Sequence, residues 1–440
     1  MNYDLITAGA GLAGCCASVS AARLGLKVLL IERYGFAGGM ATAGLVNPFM
    51  PYSTYDENNE PVTVNNAGLF LEILDRLAKR NGLIDDYHIN RDNVWGGSEI
   101  KHETRHTFNE EILKIVLDEV LDEAGVEVLY HSQVYKVEKD GRMLKSVSTA
   151  GKSGVIMHKA GFFIDATGDA DLCSLAGCGI EIGRDDGKCQ PMTLCFRIGN
   201  IDTTVSRGII SDKKARDMIN ERYKKAQKSG HITNKRENVL MFPNVSNGTI
   251  HLNSTRVIGM NALDQYDLTK AEKEARKQAM ELVDFFRENI PGFENCILSQ
   301  MAPQIGIRES RRIKGLYRLS ERDLIECRKF NDSIARGCYP VDIHNPDGSG
   351  TRITEIPPGE YYTIPYRSIV PKDMDNMLIA GRPISSSHEA HSAVRVMPIC
   401  ANMGEAAGVA AAVSVMDKKP NSDIDVEKMH QILEESGAVF

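Results

Sequence analysis

Six residues near the start of the chain, Gly9-Ala10-Gly11-Leu12-Ala13-Gly14, carry the first chemistry legible in this sequence. They follow a short apolar run, Tyr3 to Ala8, that reads as a strand, and they open a small-residue stretch, Cys15 to Leu24, that reads as a helix. Glu32 stands at the end of a second apolar run, Val28 to Ile31, with Arg33 beside it. A GxGxxG turn in this strand–turn–helix–strand setting is suited to a dinucleotide. Gly9 permits the tight turn, Gly11 lets the backbone approach a pyrophosphate, and Gly14 lets the helix lie against the strand. The N-terminus of that helix, with Leu12 and Ala13 in the turn before it, offers amides and partial positive charge to the phosphates. Glu32 can accept hydrogen bonds from ribose hydroxyls.

The elements that would hold this turn follow in order. A Gly-rich loop, Gly35 to Gly44, contains Gly38-Gly39-Met40, whose paired glycines let the backbone approach the nucleotide. Residues 45–105 read as an excursion from the sheet, with an amphipathic helix carrying Leu69, Ile73, Leu74 and Leu77 on one face. A helix is predicted from about Asn109 to Ala124, with Ile112, Ile115, Val116, Val120 and Leu121 inward, and a strand from Val126 to Tyr130. Residues 133–158, which include Val134, read as a β-meander with turns at Asp140-Gly141 and Gly151 to Gly154. The buried strand Gly161 to Asp165 ends in Ala166-Thr167-Gly168-Asp169, where small residues admit a ligand and Asp169 can cap the helix that follows. Strands at about 192–199, 250–258 and 298–307 flank helices at about 205–228 and 268–289, which suits an antiparallel sheet inserted into the first domain. The chain returns through the strand Met377 to Ala380, the turn Gly381-Arg382-Pro383 and a small-residue helix from Met397 to Val415, and ends in a helix from Val426 to Glu435.

With 440 residues the chain exceeds what one core usually holds. The reading is an α/β fold: a Rossmann-like nucleotide-binding domain over 1–185, an antiparallel-sheet substrate or cap domain over 186–360, and a return to the first domain over 361–440. A net charge of −7 gives no electrostatic footprint for nucleic acid or an anionic membrane. No apolar run is read as long enough to span a bilayer. Cleavage of a signal peptide would destroy a motif that starts at the third residue, so a cytoplasmic protein is expected. Ten cysteines show no close CxxC pairing, which argues for buried free thiols and against a metal or iron–sulfur site.

The order GAGLAG, GFAGGMATAGLVNPF, FIDATGDADLCSLAG, IGIRESRRIKG, YYTIPYRSIVP and LIAGRPISSSHEAHSAVRVMPICANMGEAAGVAAA resembles the FAD-dependent oxidoreductase family of the glutathione-reductase and fumarate-reductase-like superfamily over about residues 3–415. The resemblance implies FAD as cofactor and an oxidoreductase that passes a hydride between a small organic substrate and flavin N5. It brings Gly381 and Arg382 to the ribityl-phosphate region, and it directs the N-terminus of the last long helix, at Met397, toward the flavin. Among His251, Asn253, Arg256, Arg308, Arg311, His388 and His391 it favours Arg308 and His388 as catalytic residues. Asp342 and His344 share a face of a strand, as do His251 and Asn253. Arg308, Glu309, Arg311 and Arg312 read equally as a solvated salt-bridge cluster. A pyridine-nucleotide disulfide reductase would need a second GxGxxG and a redox cysteine pair, and neither is found. A fumarate-reductase-type enzyme and an FAD-binding electron-transfer or complex subunit remain alternatives. Substrate, direction of turnover and oligomeric state, a homo-oligomer included, are not written in these motifs.

Overall fold

The computed structural model describes residues 2–58, 61–83, 106–204, 209 and 212–440. Asn2–Ala8 lies at the centre of the main sheet, flanked in parallel by Val28–Ile31 and by Gly154–Asp165. Glu127–Leu129 extends the sheet beyond Val28–Ile31. Met377–Ile379 returns from late in the chain and pairs in parallel with the last residues of Gly154–Asp165. These parallel strands end at one edge, so the residues after Ala8, Ile31, Asp165 and Ile379 are gathered there. Ligands of open α/β sheets sit at that edge. The earlier part of Gly154–Asp165 pairs antiparallel with Met143–Gly151, which pairs with Gln133–Asp140 to complete the meander.

The helix Leu12–Arg23 is backed by the long helix Met397–Asp417. A Cβ on Gly404 would overlap the carbonyl oxygen of Ala13, and one on Gly408 would overlap that of Ala17. The two backbones therefore touch, and Ser20 Oγ donates to the Glu405 carbonyl at 3.0 Å across the contact. Met397–Asp417 is long and apolar enough to cross a membrane by length and composition, which amends the sequence expectation. Here it is core: every residue from Pro398 to Ser414 is buried.

The middle of the chain forms a four-stranded antiparallel sheet in the order Met241–Pro243, Ile250–Leu252, Phe196–Gly199, Ile297–Met301. Helices Lys213–Lys228 and Gln265–Asn289 cover it, with Tyr223, Leu282, Phe286 and Phe293 closing a core of its own. A buried ion pair, Arg197 with Glu110 at 2.6 Å, ties this sheet to the helix Glu110–Glu123. Burial opposes ionisation of Glu110, yet Arg197 holds its pKa below the ordinary carboxylate value. That helix turns a slightly different face inward than its periodicity suggests. Leu113 and Leu117 are buried with Val116, Val120 and Leu121, whereas Ile115 is exposed. Residues 84–105 of the excursion, and the start of the helix expected from 205, lie outside the described residues.

The close helix pair generates two expectations. Gly404→Val forces a branched side chain against backbone and should cost about 1–3 kcal/mol or more in thermal or urea unfolding. Gly348→Ala, where a Cβ meets nothing within 4 Å, should be near neutral. Glu405 accepts from the Leu69 N–H and Ser436 Oγ, each at 3.1 Å, and burial pushes its pKa up to about 7. A carboxyl whose folded pKa is raised contributes stability that is complete below its unfolded value and lost as pH climbs through the folded one. The wild type should therefore lose stability relative to Glu405→Gln between about pH 4.5 and 7, by on the order of 1–3 kcal/mol, read as the difference between their melting curves.

Candidate cofactor and active site

The turn from the central strand into Leu12–Arg23 uses its glycines in two ways. Gly9 has φ +97°, and a Cβ there would overlap the Ala166 carbonyl, while one on Gly14 would overlap the carbonyl oxygen of Gly9. The fold itself demands those two. Gly11 differs, because the nearest atom to a Cβ there is Gly39 Cα at 3.9 Å and its φ is an ordinary −65°. The space before Gly11 is thus open, and the helix beginning at Leu12 and Ala13 carries no side-chain cap, so its first amides are orphan donors. Gly38 closes over the turn by donating its N–H to the Ala10 carbonyl at 2.8 Å. Gly39 lies so near that a Cβ on it would stand 2.8 Å from Gly11 Cα.

Glu32 braces this turn. Its Oε2 accepts the Ala10 N–H at 2.7 Å and its Oε1 the Tyr34 N–H at 2.9 Å. Each oxygen keeps a second lone-pair direction. Glu32 lines a cavity with Gly9, Arg33, Val134 and Thr167, so five residues scattered through the sequence reading share one wall. Arg33 lies over the Tyr34 ring and donates to Gln304 at 3.0 Å.

The segment Ala166-Thr167-Gly168-Asp169 is organised by charge. Asp169 accepts from Arg382 at 2.6 Å and from Ser310 Oγ at 2.5 Å. Burial opposes its ionisation, but Arg382 and Ser310 hold its pKa below the ordinary range. Asp169 therefore does not cap the helix Asp171–Leu175, as its position in sequence suggests. Thr167 Oγ1 takes the Asp171 N–H at 2.9 Å and Asp165 takes the Cys173 N–H at 2.9 Å. Gly168, at φ +79°, leaves room for Arg382, whose Nη2 lies 3.1 Å from where a Cβ would be. Gly381, at φ +85°, brings the return turn against Ala13.

A second cavity is lined jointly by Met40, Arg382 and Met397 from the sheet edge and by Thr193, Asn253 and Arg308 from the inserted region. Arg236, Asp342, His344 and Arg395 complete its charged wall. Arg308 donates to the Pro191 carbonyl at 2.7 Å, to Thr193 Oγ1 and to Asn253 Oδ1 at 3.4 Å. Burial and then the guanidiniums of Arg236, Arg395 and Arg256 hold its pKa below the ordinary guanidinium value. His344 Nε2 lies 3.5 Å from Asp342 Oδ2. Burial, reinforced by Arg308, pushes His344 down to about 3, so it is neutral at pH 7. Burial works against the Asp342 charge, but His344 and the Arg395 and Arg308 guanidiniums bring its pKa to about 2. The long helix reaches this cavity at Val396 and Met397, with no side-chain cap on its first turn.

The remaining candidates lie elsewhere. His388 does not line this cavity; its Nδ1 meets Glu309 at 2.9 Å and its ring borders a separate open cleft with Arg184 and Glu389. The charged run at 308–312 is not solvated as a cluster. Glu309 and Arg312 are buried partners, Arg312 also donating to the Gly183 carbonyl at 2.7 Å, while Arg311 pairs with Asp171 at 2.8 Å. His251 and His391 are fully buried, their ring nitrogens have no hydrogen-bond partner among the described residues, and burial lowers both pKa values, that of His251 to about 3. Arg256 ties Glu237 to the Asn345 and Gly350 carbonyls. Arg236 and Arg395 escaped the sequence reading. Arg236 sits in the run Asn234-Lys235-Arg236-Glu237, which reads as solvated charge, although Arg395 directly precedes the last long helix.

A family model described as FAD dependent oxidoreductase matches residues 4–433. The chain belongs to the FAD-dependent oxidoreductase family. No protein of curated function matches the sequence closely enough to lend it a substrate. Among solved structures, a triple mutant of the flavin-dependent brominase Bmp2 is 15% identical, with a TM-score of 0.50 over 99% of this chain and 85% of that one. A geranylgeranyl bacteriochlorophyll reductase-like protein from Thermoplasma acidophilum is 14% identical, with a TM-score of 0.48 over 99% and 83% of the two chains. The p-nitrophenol 4-monooxygenase PnpA from Pseudomonas putida DLL-E4 is 10% identical, with a TM-score of 0.47 over 99% and 83%. Likeness at these identities extends to the fold alone.

FAD is the cofactor of this family, and the residues present fit it. Open space before Gly11, orphan amides at two helix N-termini and a carboxylate in a cavity beside the turn suit a pyrophosphate joined to a ribose. Gly11→Val should therefore leave the apoprotein's melting temperature nearly unchanged while abolishing FAD retention. Gly14→Val should destabilise the apoprotein itself. Glu32→Ala strips the acceptor from two backbone amides at the turn, a loss of about 1–3 kcal/mol. It should weaken FAD roughly ten- to a hundredfold and also lower apoprotein stability. Melting of the apoprotein and FAD released per chain on heating read these effects separately.

Proposed function

We propose that the protein oxidises or reduces a small organic substrate held in the cavity at Arg308. FAD, when bound, supplies the two-electron chemistry by exchanging a hydride with a substrate carbon at its N5. The observation that carries this reading is a cavity whose wall joins Met40, Arg382 and Met397 of the cofactor-side candidates to Arg308 and Asn253 of the inserted sheet. An electron-transfer subunit has no need of such an enclosure.

The roles divide by chemistry. Arg308 positions the substrate: a guanidinium is charged at any working pH, and its hold on Pro191, Thr193 and Asn253 limits its freedom. The Asp342–His344 pair, rather than His388, is the group that orients a substrate hydroxyl or amine, because it lines the cavity and the ionised Asp342 has an Oδ1 with no hydrogen-bond partner among the described residues. His388 acts through Glu309 and Arg312 as a positioning residue behind the wall.

Arg308→Lys should keep the full FAD content while slowing flavin reduction about a hundredfold to ten-thousandfold. His344→Asn should do likewise, and His388→Asn should change the rate far less. Anaerobic mixing with a panel of alcohols, amines and organic acids, followed as bleaching of the flavin band, provides the measurement. If no small molecule bleaches the flavin while a redox partner protein does, the reading is wrong.

A further inference from the structure

Arg236 is 4% exposed, and its Nε and Nη1 have no hydrogen-bond acceptor among the described residues. Arg395 Nη1 is likewise buried without an acceptor there. Both side chains line the same cavity as Arg308. The neighbouring cations are accounted for: Arg382 is paired with Asp169 at 2.6 Å and Arg256 with Glu237 at 3.2 Å. Against the three remaining guanidiniums the cavity sets one carboxylate, Asp342, since His344 is neutral at pH 7. Three positive charges and one negative leave two uncompensated. A buried cation without its partner is strongly destabilising, so gathering the buried Arg236 and the half-buried Arg308 and Arg395 on one wall calls for an anion from outside. Leu240, Phe242 and Ile307 give the wall an apolar stretch beside its neutral polar groups, Thr193, Asn253 and Ser392.

We propose that this cavity binds a small organic acid, with its carboxylate held by Arg236, Arg308 and Arg395 and its apolar body against Leu240, Phe242 and Ile307. The inference rests on the reading of this cavity as the substrate site. A planar guanidinium fork matches two coplanar carboxylate oxygens, and partly buried charge-assisted bonds of this kind are stronger than neutral ones. The arginines are separate from the cofactor's pyrophosphate, whose candidate cradle is at Gly11 and the Leu12 amides.

The test titrates the FAD-loaded protein with benzoate, its uncharged isostere benzamide, and phenyl phosphate, following the flavin absorption band and the heat of binding. Benzoate should bind at least tenfold more tightly than the other two. Arg236→Gln and Arg395→Gln should each weaken benzoate roughly ten- to a hundredfold, leave benzamide unchanged and retain the full FAD content. Equal binding of acid and amide in the wild type overturns the proposal whether or not the variants fold. So does preference for phenyl phosphate, and so does a loss of FAD that parallels the loss of benzoate, which would assign the arginines to the cofactor. If benzoate binds as expected but no organic compound bleaches the flavin, the acid site stands and the oxidoreductase reading of the cavity falls. If a neutral compound bleaches the flavin and acids neither bind nor compete, the acid site falls alone.

Discussion

Direct backbone contact between Leu12–Arg23 and Met397–Asp417 is the constraint on which the site depends. Gly404 and Gly408 bring the two backbones together, and the small Ser20 side chain bonds the Glu405 carbonyl across the contact. Helices usually pack at 8–10 Å with side chains interleaved; here glycine and alanine remove that layer. The consequence is positional. Each helix begins at the carboxyl edge of the main sheet, each begins without a side-chain cap, and their relative placement is held by backbone that cannot shift without a clash. Two uncapped N-termini set in this way give a site for an extended anionic cofactor before that cofactor arrives.

Everything else at the edge is braced in the same spirit. Glu32 holds the amides of Ala10 and Tyr34, and Asp169 holds Arg382. Thr167 and Asp165 take the donors of the helix that follows them. Each acidic residue near the turn is thus committed to geometry before it meets a ligand. The inserted region contributes the opposite condition, cations with no ion-pair partner among the described residues. The buried Arg197–Glu110 pair ties the inserted sheet to the helix Glu110–Glu123, and Arg236 and Arg308 line the same cavity as Asp342 and Arg395.

The opening βαβ unit was legible in the sequence because local rules govern it. The spacing of Gly9, Gly11 and Gly14, the apolar runs on either side and the acid at the end of the second strand all act within one βαβ unit, where period and turn chemistry determine the backbone. Family resemblance supplied Gly381, Arg382 and the last helix, which lie far away in the chain. Side-chain partnerships were less legible. Asp169 beside a helix start reads as a cap, and its pairing with Arg382 depends on a strand that returns only at Met377. His388 reads as a general acid or base from its neighbourhood in sequence, yet its ring is turned to Glu309.

The sequence by itself determined the nucleotide-binding unit, the antiparallel insertion and the family. Only the tertiary structure decided which charges face one another. Hydrophobic periodicity and glycine spacing are local and survive translation into one dimension. The energy of a charge depends on burial and on neighbours drawn from residues 236, 308, 342, 344 and 395 at once. That is why Arg236, which no local pattern singles out, stands in a buried wall with its Nε and Nη1 unpaired among the described residues.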